Sequence, residues 1–267
     1  MKVARIQLDG VAPVAAVMRG EALHPLEADV GALIAGSPAG AEQPAVDDAT
    51  LLAPVVPGKV VAIGLNYQDH IRESGQAPPE VPLVFAKFPT SVIADGVPIR
   101  LPRALTERVD WEVELAVIIG RRAHDVAEAD ALDHVFGYTI GNDVSARDLQ
   151  FSDGQWVRAK SLDTFCPLGP LLVTADEIPD PQALRLICRV NGEVMQDANT
   201  DLMIFGVAEL ISFCSRSFTL EPGDVILTGT PWGCGEFMEP KRSLAAGDVV
   251  ECEIEGIGTL RNPVVEV

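Results

Sequence analysis

The chain has 267 residues, 48% hydrophobic and only 5% aromatic, enough for a core built on aliphatic side chains and too apolar for a disordered segment. Acidic residues number 39 against 20 Lys and Arg, a formal net charge of -19. Such a surface repels phosphates, which argues against nucleic acid and anionic membranes as partners and demands a local positive centre if the ligand is an anion.

No apolar run approaches the ~20 residues needed to span a bilayer. The five cysteines are odd in number and never spaced as CxxC, which argues against a disulfide framework or a zinc site and for reduced, buried thiols in a cytoplasmic protein. MKVARIQLDG (1–10) alternates as a strand does, and VAPVAAVM (11–18) reads as the return strand of a hairpin turned at Asp9-Gly10. LEADVGALIAG (26–36) predicts a helix stopped at Gly36, and SPAGAEQPAVDDAT (37–50) an exposed connection. Residues 1–52 are therefore read as a small N-terminal α/β domain and 53–267 as the main domain. In the latter, strands are predicted at 59–64, 82–86, 97–101, 111–119, 136–142, 184–190, 193–196, 224–228, 248–254 and 258–266. Asn191-Gly192 marks a type I′ hairpin turn. Helices are predicted at 67–74, 128–134, 145–151 and 203–216. LEPGDVI (220–226) and LAAGDVV (244–250) each read as a turn delivering a strand. Strands outnumber helices and rarely alternate with them, so the expected class is α+β and strand-rich, not a doubly wound parallel sheet.

DWEVELAVIIG (110–120) places Glu112 and Glu114 on one face of a buried strand, because side chains alternate. Two like charges in a partly dry space need neutralising. GYTIGNDVSARDLQ (137–150) brings Asp143 to the end of the next strand. Ser145 and Asp148 have the spacing of a capping box, which puts a helix start at Ser145. If the two strands are neighbours, Glu112, Glu114 and Asp143 converge as an all-oxygen site that suits Mg²⁺, Mn²⁺ or Ca²⁺ better than zinc or copper. Spacing alone leaves equal room for a polar strand end with solvated glutamates and an ordinary capping Asp143.

In IGLNYQDHIRESG (63–75), His70 and Glu73 lie three apart on one helical face, a spacing that lets a carboxylate orient a neutral imidazole as a base. By itself the same spacing describes a surface ion pair. Lys160 sits among apolar and small residues in VRAKSLDTFCPLGP (157–170); it reads as a pairing or oxyanion-binding group, or as an ordinary surface lysine. Arg147 and Gln150 share the helix after Asp143 and could hold a substrate carboxylate and carbonyl, or form a solvated first turn. ILTGTPWGCG (226–235) runs a strand into Gly229 and Thr230, a loop able to bring backbone N–H groups and a hydroxyl to a ligand, or a plain tight turn. It lacks the ending of a P-loop.

Taken in order, VVAIGLNYQDHIRE, FAKFP, DWEVELAVIIG, GYTIGNDVSARDLQ, AKSLDTFCPLGP, VNGEVMQ, EPGDVILTGTPWGCG and GDVVECEIEGIGTLRNPV resemble the fumarylacetoacetate hydrolase family from about residue 55 to the end. The resemblance implies a mixed β-roll core, a divalent metal, usually Mg²⁺ or Mn²⁺, and a homodimer. Glu112, Glu114 and Asp143 match the family's metal ligands, His70 and Glu73 its water-activating pair, and Lys160 and Gln150 polar groups around the reacting carbonyl. Arg147, Thr230 and Gly229 match substrate-pocket positions, and residues 68–80 a lid. After FAKFP the stretch TSVIADG departs from the family's Gly-Pro-rich turn, which puts the local pocket shape in doubt. The implied reaction is hydrolytic C–C cleavage of a 2,4-dioxo (acylpyruvate-type) carboxylate. The same site could instead run isomerisation or tautomerisation of hydroxymuconate-like diacids, decarboxylate oxaloacetate, or bind 2-oxo acids without turnover.

Overall fold

The computed structural model describes every residue from 1 to 267. An 11-stranded mixed sheet dominates. Its path runs Ala22–Pro25, Val14–Arg19, Lys2–Gln7, Cys166–Thr174, Val135–Asn142, Val113–Ile119, Val225–Leu227, Val60–Gly64, Leu83–Lys87, with Thr50–Leu52 and Val92–Ile93 pairing off the path. A second sheet has five strands: Glu193–Asn199, Arg185–Val190, Val249–Ile254, Gly258–Glu266 and Ile99–Leu101. The protein is α+β and strand-rich, as its sequence predicts. No helix is long and apolar enough to cross a membrane.

The Val113–Ile119 strand is buried along its whole length. Leu115, Val117 and Ile119 face the larger core, shared with Leu186, Val250 and the Val207–Ser217 helix. Ala116 and Ile118 face the opposite core, shared with Val60, Leu227 and Leu168. Burial on both sides explains a continuous apolar run where one solvated face would require alternation.

Several elements differ from expectation. Cys166–Thr174, a nine-residue central strand, is absent from the predicted set because Pro167 and Pro170 cannot donate to a ladder. The sheet accommodates them through a register shift against the Val135–Asn142 strand between Tyr138 and Ile140. The predicted 26–36 helix contracts to Val30–Ile34, capped by Asp29, which accepts from the Ala32 amide at 2.7 Å. The 128–134 helix is a 3-10 segment. The 203–216 helix begins at Val207 after a separate 3-10 turn at Thr200–Leu202. Ser145 is no helix cap: Ser145–Ala146 pairs with Val109–Asp110, its hydroxyl donates to the Asp143 carbonyl at 2.8 Å, and the helix is Arg147–Asp153. Val157–Lys160, a four-residue helix, escaped prediction. The hairpin at Asn191-Gly192 has both residues at positive φ, 54° and 80°, as a type I′ turn requires. The two similar turns are alike in detail. Asp224 accepts from the Glu221 amide at 2.6 Å, and Asp248 from the Ala245 amide at 2.8 Å.

The N-terminal strands extend the large sheet directly. Lys2 and Val3 pair with Val173 and Leu172, and Val3, Ala15 and Leu33 share a core with Leu168, Leu172 and Val225.

Candidate active site

The strands Val113–Ile119 and Val135–Asn142 run antiparallel with Val113 opposite Asn142. At that end the Asp143 amide donates to the Glu112 carbonyl at 2.9 Å, and the Glu112 amide donates to Asn142 Oδ1 at 3.0 Å. These bonds lock the corner that both acids share. One carboxylate oxygen each of Glu112, Glu114 and Asp143 lies within 4.8 Å of the others, and all three residues are buried. The sequence brings the trio together as anticipated.

Cations from three short elements converge on it. Lys160 Nζ lies 2.6 Å from Glu112 Oε2 and 2.9 Å from Asp143 Oδ2. Lys87 donates to the other Asp143 oxygen, and to the Val144 carbonyl at 3.3 Å. Arg147 lies 2.7 Å from Glu112 Oε1 and 2.8 Å from Asp110 Oδ2. Four buried carboxylates, including Asp110, thus meet three buried cations and leave one negative charge over. Burial works against the ionised form of Glu112, but Lys160 and Arg147 outweigh it and hold the carboxyl down at about 2. Burial likewise opposes the Lys160 ammonium, and Asp143 and Glu112 more than reverse that, raising it. Glu114 carries the excess. It receives only the Gly229 amide, at 2.8 Å, and burial, then Asp143 and Glu112, push its carboxyl well above the ordinary carboxylate range. A hard dication fits this donor set: all ligand atoms are oxygens, one glutamate oxygen has no protein donor, and the cluster is one positive charge short of balance.

His70 lies on the Gln68–Ser74 helix, which ends at Gly75 in the left-handed region at φ 67°. Its Nδ1 is 2.7 Å from Glu73 Oε1, and Glu73 Oε2 accepts from the Gly233 amide at 2.9 Å. An ionised carboxylate can only accept, so in the neutral ring Nδ1 carries the proton and Nε2 the lone pair. Phe237 packs edge-on against the ring at 5.5 Å. Gly233 is in turn held by Trp111, whose indole donates to the Gly233 carbonyl at 3.1 Å. Trp111 immediately precedes Glu112, so one chain of contacts runs from the acidic strand through Gly233 to Glu73 and His70.

His70, Glu112 and Glu114 open onto one cavity of about 300 Å³, which Gln150, Lys160 and Thr230 also help to line. Gln150 presents its carbonyl to Arg147 at 2.9 Å, so its amide donors are left for a ligand. Thr230 accepts from Gln196 at 2.8 Å. Gly229 is bound inward, its amide spent on Glu114; at φ 97° it sits against Asn66, where a side chain would collide. Gln76, just beyond the helix, also lines the cavity, whereas no residue of the divergent TSVIADG stretch does.

Sequence reading missed Lys87 and Asp110. Lys87 follows Phe85 by two on the buried face of its strand, a charged residue on an aromatic's side, which is the signal it offers. Asp110 continues the alternation of Glu112 and Glu114 backwards by one step. It accepts from the Gly235 amide at 2.8 Å and the Glu236 amide at 3.1 Å, besides Arg147, and so anchors the arginine to the glycine loop.

Residues 59–265 match the fumarylacetoacetate (FAA) hydrolase C-terminal family. The mitochondrial oxaloacetate tautomerase of Xenopus laevis is 50% identical over 219 residues, 81% of this chain and 68% of the relative. Among solved structures, a fumarylacetoacetate hydrolase from psychrophilic Exiguobacterium antarcticum is 40% identical with a TM-score of 0.92, both chains covered in full. The 5-carboxymethyl-2-hydroxymuconate delta-isomerase from Mycobacterium smegmatis is 42% identical with a TM-score of 0.87, again over the whole of both chains.

Proposed function

Because the chain belongs to the fumarylacetoacetate hydrolase family, we propose that it is a divalent-metal-dependent tautomerase or isomerase of small 2-oxo diacids of the oxaloacetate type. The observation that carries this reading is that His70, its Nδ1 fixed by Glu73, opens onto the same cavity as Glu112 and Glu114 of the acidic trio. Two of the three relatives named above, a tautomerase and an isomerase, point the same way, while the third is named a hydrolase.

Ketonisation of an enol diacid moves one proton off the C2 hydroxyl and one onto C3. His70 Nε2 faces the task of delivering or removing the C3 proton, and Glu73 stabilises the imidazolium that arises in between. Lys160, held as an ammonium by Asp143 and Glu112, adds positive charge beside the developing C2 oxyanion. The free amide donors of Gln150 and the Thr230 hydroxyl orient the substrate's carboxylates. When bound by Glu112, Glu114 and Asp143, Mg²⁺ or Mn²⁺ supplies the electrophile that favours the enolate.

The test follows the decay of enol oxaloacetate with added Mg²⁺ or Mn²⁺ and after chelation. The expected result is a metal-dependent acceleration over buffer that His70→Gln lowers by about 10²–10⁴-fold with metal binding intact. Ketonisation no faster than the blank, with no change in a 2-hydroxydienedioate, ends this reading. Hydrolytic cleavage of an acylpyruvate is the second reading. The His70–Glu73 geometry favours it too, since the same base can deprotonate water; pyruvate release seen by NMR would establish it.

A further inference from the structure

We propose that His70, Glu73 and Cys234 form a second metal site, selective for a soft or borderline dication such as Zn²⁺ or Cd²⁺, whose occupation disables His70. The three donor atoms lie within 4.8 Å of one another. Nδ1 of His70 is 2.7 Å from Glu73 Oε1, and Cys234 Sγ is 3.9 Å from the same nitrogen. A tetrahedral zinc with bonds of about 2.0–2.1 Å to N and O and 2.3 Å to S separates N from O by about 3.3 Å and N from S by about 3.6 Å. The thiol needs to close by a few tenths of an ångström and the carboxylate to open by about twice that.

The donors differ in kind from the acidic trio. One imidazole, one carboxylate and one sulfur select zinc or cadmium, whereas three carboxylates select magnesium or manganese, so the two sites sort cations by chemistry. The surroundings are already those of a ligand shell. The Gly233 amide fixes Glu73 Oε2, Phe237 fixes the imidazole plane, and Cys234 follows Gly233 on the same buried turn. Cys234 has no part in the proton transfers described above. Of the three donors, His70 lines the cavity, so an ion enters past its ring.

On binding, Cys234 Sγ loses its proton to solvent and forms a bond to the metal. The Nδ1 proton passes by way of solvent to Nε2, and the lone pair this frees on Nδ1 bonds to the metal. His70 then presents an N–H where the reaction needs a base. This inhibitory consequence rests on the role of His70 proposed above; the binding itself does not.

The experiment titrates Cd²⁺ into the Mg²⁺-saturated protein and reads thiolate-to-cadmium absorption, which needs no turnover. We expect one thiolate per bound ion, a band lost in Cys234→Ala and kept in Cys252→Ala. In the activity arm, Zn²⁺ inhibits at saturating Mg²⁺, and Cys234→Ala is about 100-fold less sensitive. A band that survives Cys234→Ala overturns the proposal. So do two thiolates per cadmium in the unmodified protein by cadmium NMR, a readout that needs no variant and places the ion at Cys188 and Cys252, which face each other across adjacent strands. Zinc inhibition relieved by excess Mg²⁺ assigns it to the acidic trio and overturns it as well. Failure of the tautomerase reading leaves the cadmium spectrum unchanged, so the two are separable.

Discussion

Lys87 and Glu114 mark the two ends of the electrostatic balance at the site. Lys87 is the sole partner of Asp143 Oδ1 in a pair that solvent does not reach. Breaking a buried ion pair from one side strands the other charge, at a cost of about 3–5 kcal/mol. Lys87→Met should lower the urea midpoint of the metal-free protein accordingly, and Mg²⁺ should restore part of the loss; an unshifted midpoint would remove Lys87 from the account. Glu114 behaves oppositely, because it carries charge that the folded protein resists. Its folded carboxyl is raised above the ordinary 4.5, so its contribution to apoprotein stability is complete below that value and is lost as pH rises through the raised one. Cation binding needs the ionised form, so Mg²⁺ affinity should strengthen with rising pH and release a proton. Glu114→Gln should abolish Mg²⁺ binding by calorimetry while leaving the apoprotein at least as stable at neutral pH.

At the scale of elements, short segments do the positioning. The Arg147–Asp153 helix carries Arg147 and Gln150, and its first turn is tied down by Asp148 rather than by a cap at Ser145. Asp148 accepts from the Thr106 hydroxyl at 2.5 Å and from the Glu107 amide at 2.9 Å. Although burial opposes ionisation, these bonds hold the carboxyl below its ordinary 3.8. A lowered folded value means stability present above the ordinary value and lost as pH falls below it. Asp148→Asn should therefore flatten the acid limb of the stability curve below about pH 4, measured by thermal unfolding across pH; an unchanged limb would show that the 106–107 loop holds the helix by other means. The Cys166–Thr174 strand shows the opposite relation between sequence and element. Its two prolines hide it from pattern reading, and only the strands on either side define it.

For the whole molecule, the first strand matters most. Lys2–Gln7 pairs with Val14–Arg19, Thr50–Leu52 and Cys166–Thr174, so its burial depends on both the N-terminal unit and the main body. Ile6 is completely buried, and Ile6→Ala should cost about 2–5 kcal/mol. We expect a single denaturant transition with an unchanged slope and a lowered midpoint. A separate early transition would reveal an N-terminal unit that unfolds on its own.

The strand-rich class, the family and two groupings of side chains, Glu112 with Glu114 and Asp143 and His70 with Glu73, were legible in the chain before it folded. Alternation along DWEVELAVIIG, the strand end at Asp143 and the i,i+3 spacing of His70 and Glu73 are local geometry, which a few neighbouring residues dictate. What balances them is set by the folded arrangement alone. Lys87, Lys160 and Arg147 come from separate elements, and Asp110, Trp111 and Gly233 join the acidic strand to the histidine. Charge compensation in a buried site depends on distance and exclusion of water, and neither is a property of any stretch of chain until the sheets have closed around it.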